Sequence, residues 1–161
     1  MKEHKRIILC GPACSGKSYI KDRFRKQGFN VDVSYTSRPP RPGETDGVDY
    51  HFIGDEFVYR ISQNQFYEYA QHGDYWYGTG MQEWNESDVF IMETHGISCI
   101  TPEDRKDCLI IYVNTPEFTR LRRMKERKWD SDNIYHRTGM DHEKFKDFKD
   151  FDLEISSVSA K

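Results

Sequence analysis

An eight-residue segment near the amino terminus has the residue types and spacing of a phosphate-binding loop. It consists of Gly11, Pro12, Ala13, Cys14, Ser15, Gly16, Lys17 and Ser18. This order matches the pattern G-x-x-x-x-G-K-[ST] at every specified position. In such a loop, successive backbone N–H groups and the positive end of the following helix bind a polyphosphate. We expect Lys17 to reach the β- and γ-phosphates and the Ser18 hydroxyl to ligate Mg²⁺.

Two elements must position this loop. The apolar run before it predicts a buried parallel strand over residues 6–10, and the segment after it predicts a helix over residues 17–27 that ends at Gly28. The alternative interpretation is a turn that carries Lys-Ser by chance. The order of strand, loop and helix favours the phosphate-binding interpretation.

Further apolar segments predict an α/β fold. Strands are predicted over residues 29–34, 65–70, 75–80, 88–92, 109–113 and 151–155. Helices are predicted over residues 55–63, 116–128 and 141–150, and a polar loop over residues 101–107. Because ligands bind at the carboxyl ends of strands in open α/β sheets, Glu93 and His95, which follow the strand at 88–92, are candidate site residues.

A second possible anion site follows the predicted strand at 29–34. Arg38 and Arg41 lie three residues apart in a segment with three prolines among residues 39–42. Proline blocks the helical ladder and restricts its neighbours, so this backbone is stiff and extended. Guanidinium groups held on such a backbone can bind a phosphate bidentately. The alternative is a proline-rich surface loop with solvated arginines.

Residues 35–53 resemble the monophosphate-binding signature of the guanylate kinase family, T-[ST]-R-x-x-[KR]-x-x-[DE]-x-x-G-x-x-Y-x-[FY]. The matching residues are Thr36, Ser37, Arg38, Arg41, Glu44, Gly47, Tyr50 and Phe52. The resemblance extends from about residue 6 to residue 155. It implies a three-layer P-loop kinase fold with a central parallel sheet, in a single domain of residues 1–161. The core would comprise residues 1–34 and 81–161, a β-rich monophosphate-binding insertion residues 35–80, and a helical lid residues 123–140.

The resemblance also implies roles for individual residues. The phosphate of the acceptor would be bound by Arg38, Arg41, Tyr50 and Tyr77. Glu68 and Ser34 would recognise the base. A carboxylate at Glu68 can accept from the adjacent N1–H and N2–H₂ donors of guanine, whereas adenine would leave it unpaired at a cost of about 1–3 kcal/mol. The alternative for Glu68 is an ordinary outward-facing strand residue.

The chain departs from the family pattern D-x-D-x-Q-G. Anchored on Gly96, Glu93 replaces the second Asp, His95 replaces Gln, and Ile91 replaces the first Asp. Glu93 keeps an acidic group beside the acceptor but is one methylene longer. A pocket in which this carboxylate extends further could take a modified or deoxy nucleotide. The pattern therefore does not fix the identity of the acceptor base.

The resemblance places a lid after the basic helix predicted at 116–128. Arg123, Arg127 and Arg137 would close on the transferring phosphoryl group, with Arg127 and Arg137 grouped with Lys17 as catalytic residues. The alternative for this basic run is a solvated helix face. The chain stops six residues after the last predicted strand, where family members continue into a further helix. We therefore expect weaker packing beside the adenine of the donor, or an edge that a partner chain covers in an oligomer.

Composition and charge limit the other classes of protein to which this chain could belong. The chain has 161 residues and a formal net charge of -3, which does not predict a nucleic-acid-binding face. No apolar run approaches the roughly 20 residues that cross a membrane. Four cysteines lack metal-site spacing, and two of them flank the phosphate loop, which favours reduced thiols in the cytoplasm.

Together these features predict an enzyme, a nucleoside monophosphate kinase. It would transfer the γ-phosphoryl group of ATP, with Mg²⁺, to GMP or dGMP. One alternative is a kinase of the same family for another acceptor, such as a modified deoxynucleotide or a sugar phosphate. A second is a non-catalytic module that binds phosphopeptides. Such modules usually have damaged phosphate loops, whereas Lys17 and Ser18 are intact here.

Overall fold

The computed structural model describes residues 5–157. Residues 1–4 and 158–161 of the predicted domain lie outside this range. The strands are β1 (Arg6–Cys10), β2 (Tyr35–Thr36), β3 (His51–Phe52), β4 (Phe66–His72), β5 (Tyr75–Gly80), β6 (Val89–Ile91), β7 (Cys108–Val113) and β8 (Leu153–Ile155). The helices are α1 (Lys17–Lys26), α2 (Glu56–Ser62), α3 (Met81–Glu86), α4 (Thr94–Ser98), α5 (Pro102–Arg105), α6 (Glu117–Glu126) and α7 (Ser131–Phe145).

The central sheet is parallel and has the strand order β6-β1-β7-β8. Alternate residues of its strands belong to two separate apolar clusters, because successive side chains of a strand point to opposite faces. Ile8 and Ile110 lie in one cluster, and Leu9 and Ile111 in the other. Helices cover both faces, since Phe24 of α1 packs on the second cluster and Phe145 of α7 on the first. The predicted three-layer α/β fold is therefore confirmed.

Residues 35–80 contribute all four strands of a second sheet, with the order β3-β2-β5-β4. The two longest strands, β4 and β5, form an antiparallel hairpin. Aromatic residues hold α2 against this sheet: the Phe57 ring stacks on Phe66 with the centroids 4.3 Å apart. The small sheet thus has a packed aromatic core of its own.

Three predicted elements were wrong in extent or type. The strand predicted at 29–34 is only a single parallel bridge between Val31 and Val89, which is formed by backbone hydrogen bonds of Asn30 and Asp32 to the start of β6. The loop predicted at 101–107 contains α5. Its helix begins because the Thr101 hydroxyl accepts the Asp104 N–H, with proline at the first position.

The third error lies near the carboxyl terminus. The helix predicted at 141–150 is instead α7, which begins at Ser131. The Asp130 carboxylate accepts the Asn133 N–H there and caps the helix. Most of the polar segment predicted as a lid is therefore helical. The helix predicted at 116–128 is α6, which ends at Glu126.

No helix within residues 5–157 is both long enough and apolar enough to cross a membrane.

Candidate active site

The phosphate-binding loop runs from the end of β1 to the start of α1 and needs glycine at both of its conserved positions. Gly11 has φ 155°, and a Cβ there would lie 2.4 Å from the Val113 carbonyl oxygen. Gly16 has φ 104°, a left-handed conformation that only glycine adopts readily. A Cβ at Gly16 would lie 2.5 Å from the Ser157 hydroxyl oxygen. The loop is therefore pressed against both β7 and the segment after β8.

Lys17 folds back over this loop. Its Nζ donates to the carbonyl oxygens of Gly11 at 2.5 Å and Pro12 at 2.8 Å. Burial lowers the pKa of Lys17 to about 8, while the carboxylates of Glu93 and Asp141 act in the opposite direction. The ammonium group therefore lies at the mouth of the loop, between backbone oxygens and two carboxylates.

One face of α6 holds the outside of the same loop. Arg123 donates to the Cys14 carbonyl at 3.0 Å and to the Ser157 carbonyl at 2.8 Å. Arg127 Nη1 lies 3.5 Å from the Cys14 sulfur. Arg120 is buried and donates to the Thr115 carbonyl at 3.1 Å, while the Thr115 hydroxyl donates to the Ser15 carbonyl. Arg120 and Arg123 are consequently packed beside the loop, whereas Arg127 is exposed.

Helix α7 brings further charges to the loop from the carboxyl-terminal part of the chain. Arg137 Nη2 lies 3.3 Å from one carboxylate oxygen of Glu93, and Lys144 Nζ contacts the other. Burial alone would raise the pKa of Glu93, but Lys144 and Arg137 outweigh it and hold the pKa below its ordinary value. The Ala13 N–H donates to Asp141 Oδ2 at 2.9 Å. The structure therefore brings Lys17, Glu93 and Arg137 together, with Arg127 at the Cys14 side of the loop.

Ser18 lies in the first turn of α1, and its side chain is exposed. Within residues 5–157 its hydroxyl has no hydrogen-bond partner, and there is no group of three or more His, Cys, Asp or Glu side chains placed to hold a metal ion. An uncommitted hydroxyl beside a phosphate-binding loop fits a Mg²⁺ ion that arrives with a nucleotide, because such ions take most ligands from phosphates and water.

Arg38 in the small sheet is buried and tightly held. Its two terminal nitrogens donate to the two carboxylate oxygens of Glu44 at 2.7 and 3.0 Å. Its guanidinium carbon lies 5.5 Å from the centre of the Tyr50 ring, and Tyr50 packs edge-on against Tyr77. Hydrogen bonding to Glu44 raises the pKa of Arg38 above its ordinary value. The structure thus brings Arg38, Tyr50 and Tyr77 into one cluster.

Arg41 differs from Arg38 because it is exposed. Its backbone N–H donates to Glu44 Oε1 at 2.7 Å, so Glu44 orients both arginines. The sequence matched Glu44 to the family signature but assigned it no role. The spacing of six residues from Arg38 was the available signal.

The two residues predicted to recognise the base, Glu68 and Ser34, have different hydrogen-bond partners. Glu68 accepts from the Thr79 hydroxyl at 2.7 Å, and burial raises its pKa. A Cβ at Gly96 would lie 3.2 Å from Glu68, so β4 and α4 meet closely here. The Ser34 hydroxyl donates to Asp32 at 2.8 Å.

Asp32 was missed by the sequence analysis. Its side chain is 2% exposed, and burial raises its pKa to about 6. Its Oδ1 makes no hydrogen bond to any described residue. The only signal in the sequence was an acidic residue two positions before Ser34.

Comparisons with known proteins identify the family of this chain. The family model described as guanylate kinase matches residues 3–158. A guanylate kinase of Latilactobacillus sakei is 36% identical over 138 residues, which are 78% of this chain and 66% of that protein. A guanylate kinase of Zymomonas mobilis is 32% identical over 138 residues, which are 80% of this chain and 64% of that protein.

A solved structure agrees on the fold. The crystal structure of guanylate kinase from Anaplasma phagocytophilum superposes with a TM-score of 0.68 at 20% identity, covering 99% of this chain and 79% of that one. The chain spans slightly less than two thirds of the length of the curated relatives it matches. The match of the family model over almost all of the sequence, with the phosphate loop intact, shows that the chain belongs to the guanylate kinase family.

Proposed function

We propose that this chain is an ATP-dependent kinase that phosphorylates a guanine nucleoside monophosphate, GMP or dGMP, to the diphosphate. The observation that carries the proposal is the position of Lys17 in an intact phosphate loop, with Arg137 brought to the same cluster by α7. Phosphoryl transfer needs positioning and positive charge on the transferring oxygens more than covalent help from the protein. The relatives named above are guanylate kinases, and they support phosphoryl transfer as the reaction class.

In the donor site, a bound triphosphate would replace the Gly11 and Pro12 carbonyls as the partner of Lys17. The loop N–H groups and the start of α1 would bind its phosphates. Arg127 and Arg137 would add charge from the lid, residues 123–140. Ser18 would ligate Mg²⁺, which neutralises charge on the phosphates when it is bound. Arg137 is tied to Glu93 at present, so it must exchange this partner for a phosphoryl oxygen.

In the acceptor site, residues 35–80 would form the monophosphate-binding insertion. Arg41 is exposed, and Arg38 is oriented by Glu44 with its Nε free of any described partner. Together with Tyr50 and Tyr77, these two arginines would bind the acceptor phosphate. Because arginine binds phosphate bidentately, a guanidinium that is already oriented loses less entropy on binding.

Recognition of the base would depend on Glu68, with Ser34 and Glu93. Glu68 is half-buried, and no described cation forms an ion pair with it, so its carboxylate would gain from the two adjacent N–H donors of guanine. Its raised pKa reflects this lack of compensation. Glu93 would connect the acceptor site to the lid, because it is paired with Arg137 and Lys144 of α7.

The whole chain would act as one domain, with its core in residues 1–34 and 81–161. A cytoplasmic location is part of the proposal. It is supported by four free cysteines in the described part of the chain, which suit a reducing compartment.

A second candidate is a kinase of this family for another acceptor, such as a modified deoxynucleotide. The contact between Ser34 and Asp32 favours it. When Asp32 is ionised, the Ser34 proton is committed to Asp32, and Ser34 can only accept from a base. An acceptor whose base places an amino group, and not a carbonyl oxygen, beside Ser34 would then bind better than guanine.

A coupled assay for ADP release, with ATP and a panel of monophosphates, tests both candidates. The panel contains GMP, dGMP, AMP, dAMP, UMP, dTMP and dCMP. We expect turnover with GMP or dGMP, and none in the Lys17→Ala variant. ATP binding without turnover of any acceptor would contradict the kinase proposal, and a preference for AMP, dAMP or dCMP over both guanine nucleotides would favour the second candidate.

A further inference from the structure

Asp141 is a buried acidic residue that the proposed reaction does not use. It lies in the middle of α7 and is 2% exposed. A buried carboxylate is costly unless other groups compensate its charge, so its partners should be specific.

Three elements supply those partners. Oδ2 accepts the Ala13 N–H of the phosphate loop at 2.9 Å, and Oδ1 lies 3.4 Å from Arg137 Nε, one turn earlier in α7. Arg120 Nη1 of α6 lies 4.0 Å from Oδ2. Asp141 therefore connects the loop to an arginine that we assign to the transferring phosphoryl group.

The consequence concerns the orientation of Arg137. Asp141 faces its Nε, and Glu93 faces its Nη2. The Nε contact is an ion pair without a hydrogen bond, since neither Arg137 Nε nor Asp141 Oδ1 has a hydrogen-bond partner among residues 5–157, whereas Glu93 accepts from Nη2. Two carboxylates therefore attract the guanidinium from different sides. Since Asp141 is itself bonded to the loop, the position of Arg137 is set relative to the loop and not only to its own helix.

We propose that Asp141 is a positioning residue for phosphoryl transfer, which holds Arg137 against the phosphate-binding loop through the Ala13 N–H. This inference rests on the proposed kinase activity. Asp141 does not contact the nucleotide in this scheme. It acts through Arg137, and its removal should slow the chemical step without weakening nucleotide binding.

A purely structural role is the competing explanation, because Asp141 also compensates the charge of buried Arg120. Removal of Asp141 alone would leave Arg120 unpaired and could destabilise the protein. The experiment is therefore done in an Arg120→Met background, which removes that charge. The single and double variants Asp141→Ala and Arg137→Met are compared in this background.

We expect the Asp141→Ala change to lower kcat about 100-fold, the size of effect that a misplaced catalytic group produces, with KM for ATP nearly unchanged. We expect it to have no further effect once Arg137 is Met, because residues that act through one another are not additive. Equal kcat for Arg120→Met with and without Asp141, or a full additional loss in the Arg137→Met variant, would overturn the proposal.

A readout independent of turnover separates this inference from the proposed function. In ¹H–¹⁵N spectra of the Arg120→Met protein, the buried Nε–H of Arg137 should give a signal whose exchange with water becomes faster in the Asp141→Ala variant, because the guanidinium loses its ion pair and can turn toward solvent. An unchanged signal would refute the positioning role. If the parent protein phosphorylates no acceptor, the proposed function fails, but this spectrum still decides whether Asp141 holds Arg137.

Discussion

The regions that we propose to bind the donor and the acceptor are assembled in different ways. The decisive contact of the acceptor region joins Arg38 and Glu44, which are 6 residues apart. The decisive contacts of the donor region join Ala13 to Asp141, 128 residues apart, and Cys14 to Arg123, 109 residues apart. The acceptor region therefore has a local charged contact and an aromatic core of its own. The donor region depends on the docking of α6 and α7.

This difference has a functional consequence. A region with local contacts can move as a unit without losing them, whereas the donor region changes whenever α7 moves. We expect closure to involve the small sheet as a body, and partner exchange in the donor site. The following predictions separate the two regions by measuring KM for each substrate independently.

The largest effect is expected from Lys17→Ala. It removes the ammonium group that bonds to the Gly11 and Pro12 carbonyls. The phosphates of the donor would then lose the positive charge of Lys17. We expect kcat to fall at least about 1,000-fold with every acceptor. The coupled assay measures this, with Lys26→Ala at the exposed end of α1 as the control. Residual activity near that of the control would show that the loop does not bind the donor.

A smaller effect is expected from Arg38→Lys. Lysine cannot form the forked contact with Glu44 or bind a phosphate bidentately. We expect KM for the acceptor to rise about 10- to 100-fold, with KM for ATP unchanged. Initial rates with each substrate varied in turn test this. The matched control is Arg25→Lys, at an exposed position of α1. A parallel rise in both KM values would show that the two regions are not independent.

The third-largest effect is expected on recognition of the acceptor base. Glu68→Gln keeps the shape of the side chain but cannot accept from two donors at once. We expect kcat/KM for guanine acceptors to fall about 30-fold, with other acceptors changed little. Glu56→Gln on α2 is the control. Equal loss across the panel of monophosphates would mean that Glu68 does not recognise the base.

The smallest effect is on stability and depends on pH. Burial raises the pKa of Asp32 from 3.8 to about 6, even with Lys21 nearby; Ser34, Glu68 and Glu83 are its other charged or polar neighbours. An acid with a raised pKa in the folded state stabilises the fold below its unfolded pKa, and this stabilisation is lost as the pH rises through the folded pKa.

The wild type should therefore lose stability between about pH 4 and pH 6 through this group. The Asp32→Asn variant should not. We expect the variant to gain about 1–2 kcal/mol relative to wild type at pH 8. Thermal unfolding at pH 4, 6 and 8 measures the difference, with Asp22→Asn on the surface as the control. A difference that does not vary with pH would mean that Asp32 is not buried as an acid.

Particular elements show how far the sequence could be interpreted. The phosphate-binding loop, β1 and α1 were predicted because strand, glycine spacing and helix are consecutive in the chain. Helix α7 was placed ten residues too late, because the Asp130 cap was not recognised. The bridge at Val31 failed as a strand prediction because alternation alone does not show how many partners a strand finds.

The two glutamates give the same lesson within one site. The resemblance treated Glu68 and Glu93 alike, as acidic groups beside the acceptor. Their environments differ: burial with only a hydroxyl partner raises the pKa of Glu68, while Lys144 and Arg137 hold that of Glu93 low. Residue type indicates that a group can carry charge, but its neighbours decide in which direction its pKa moves.

The sequence by itself determined the family, the layered α/β fold, the backbone of the phosphate-binding loop and the residues available to bind two anions. The family follows from the resemblance to its monophosphate-binding signature, and the other features follow from local spacing and apolar periodicity, which act over a few residues. Only the tertiary structure decided that Asp141 bonds to Ala13, that Arg123 holds the loop and that Asp32 is buried. These contacts join residues far apart in the chain, and their energies depend on burial, which exists only after the elements have packed together.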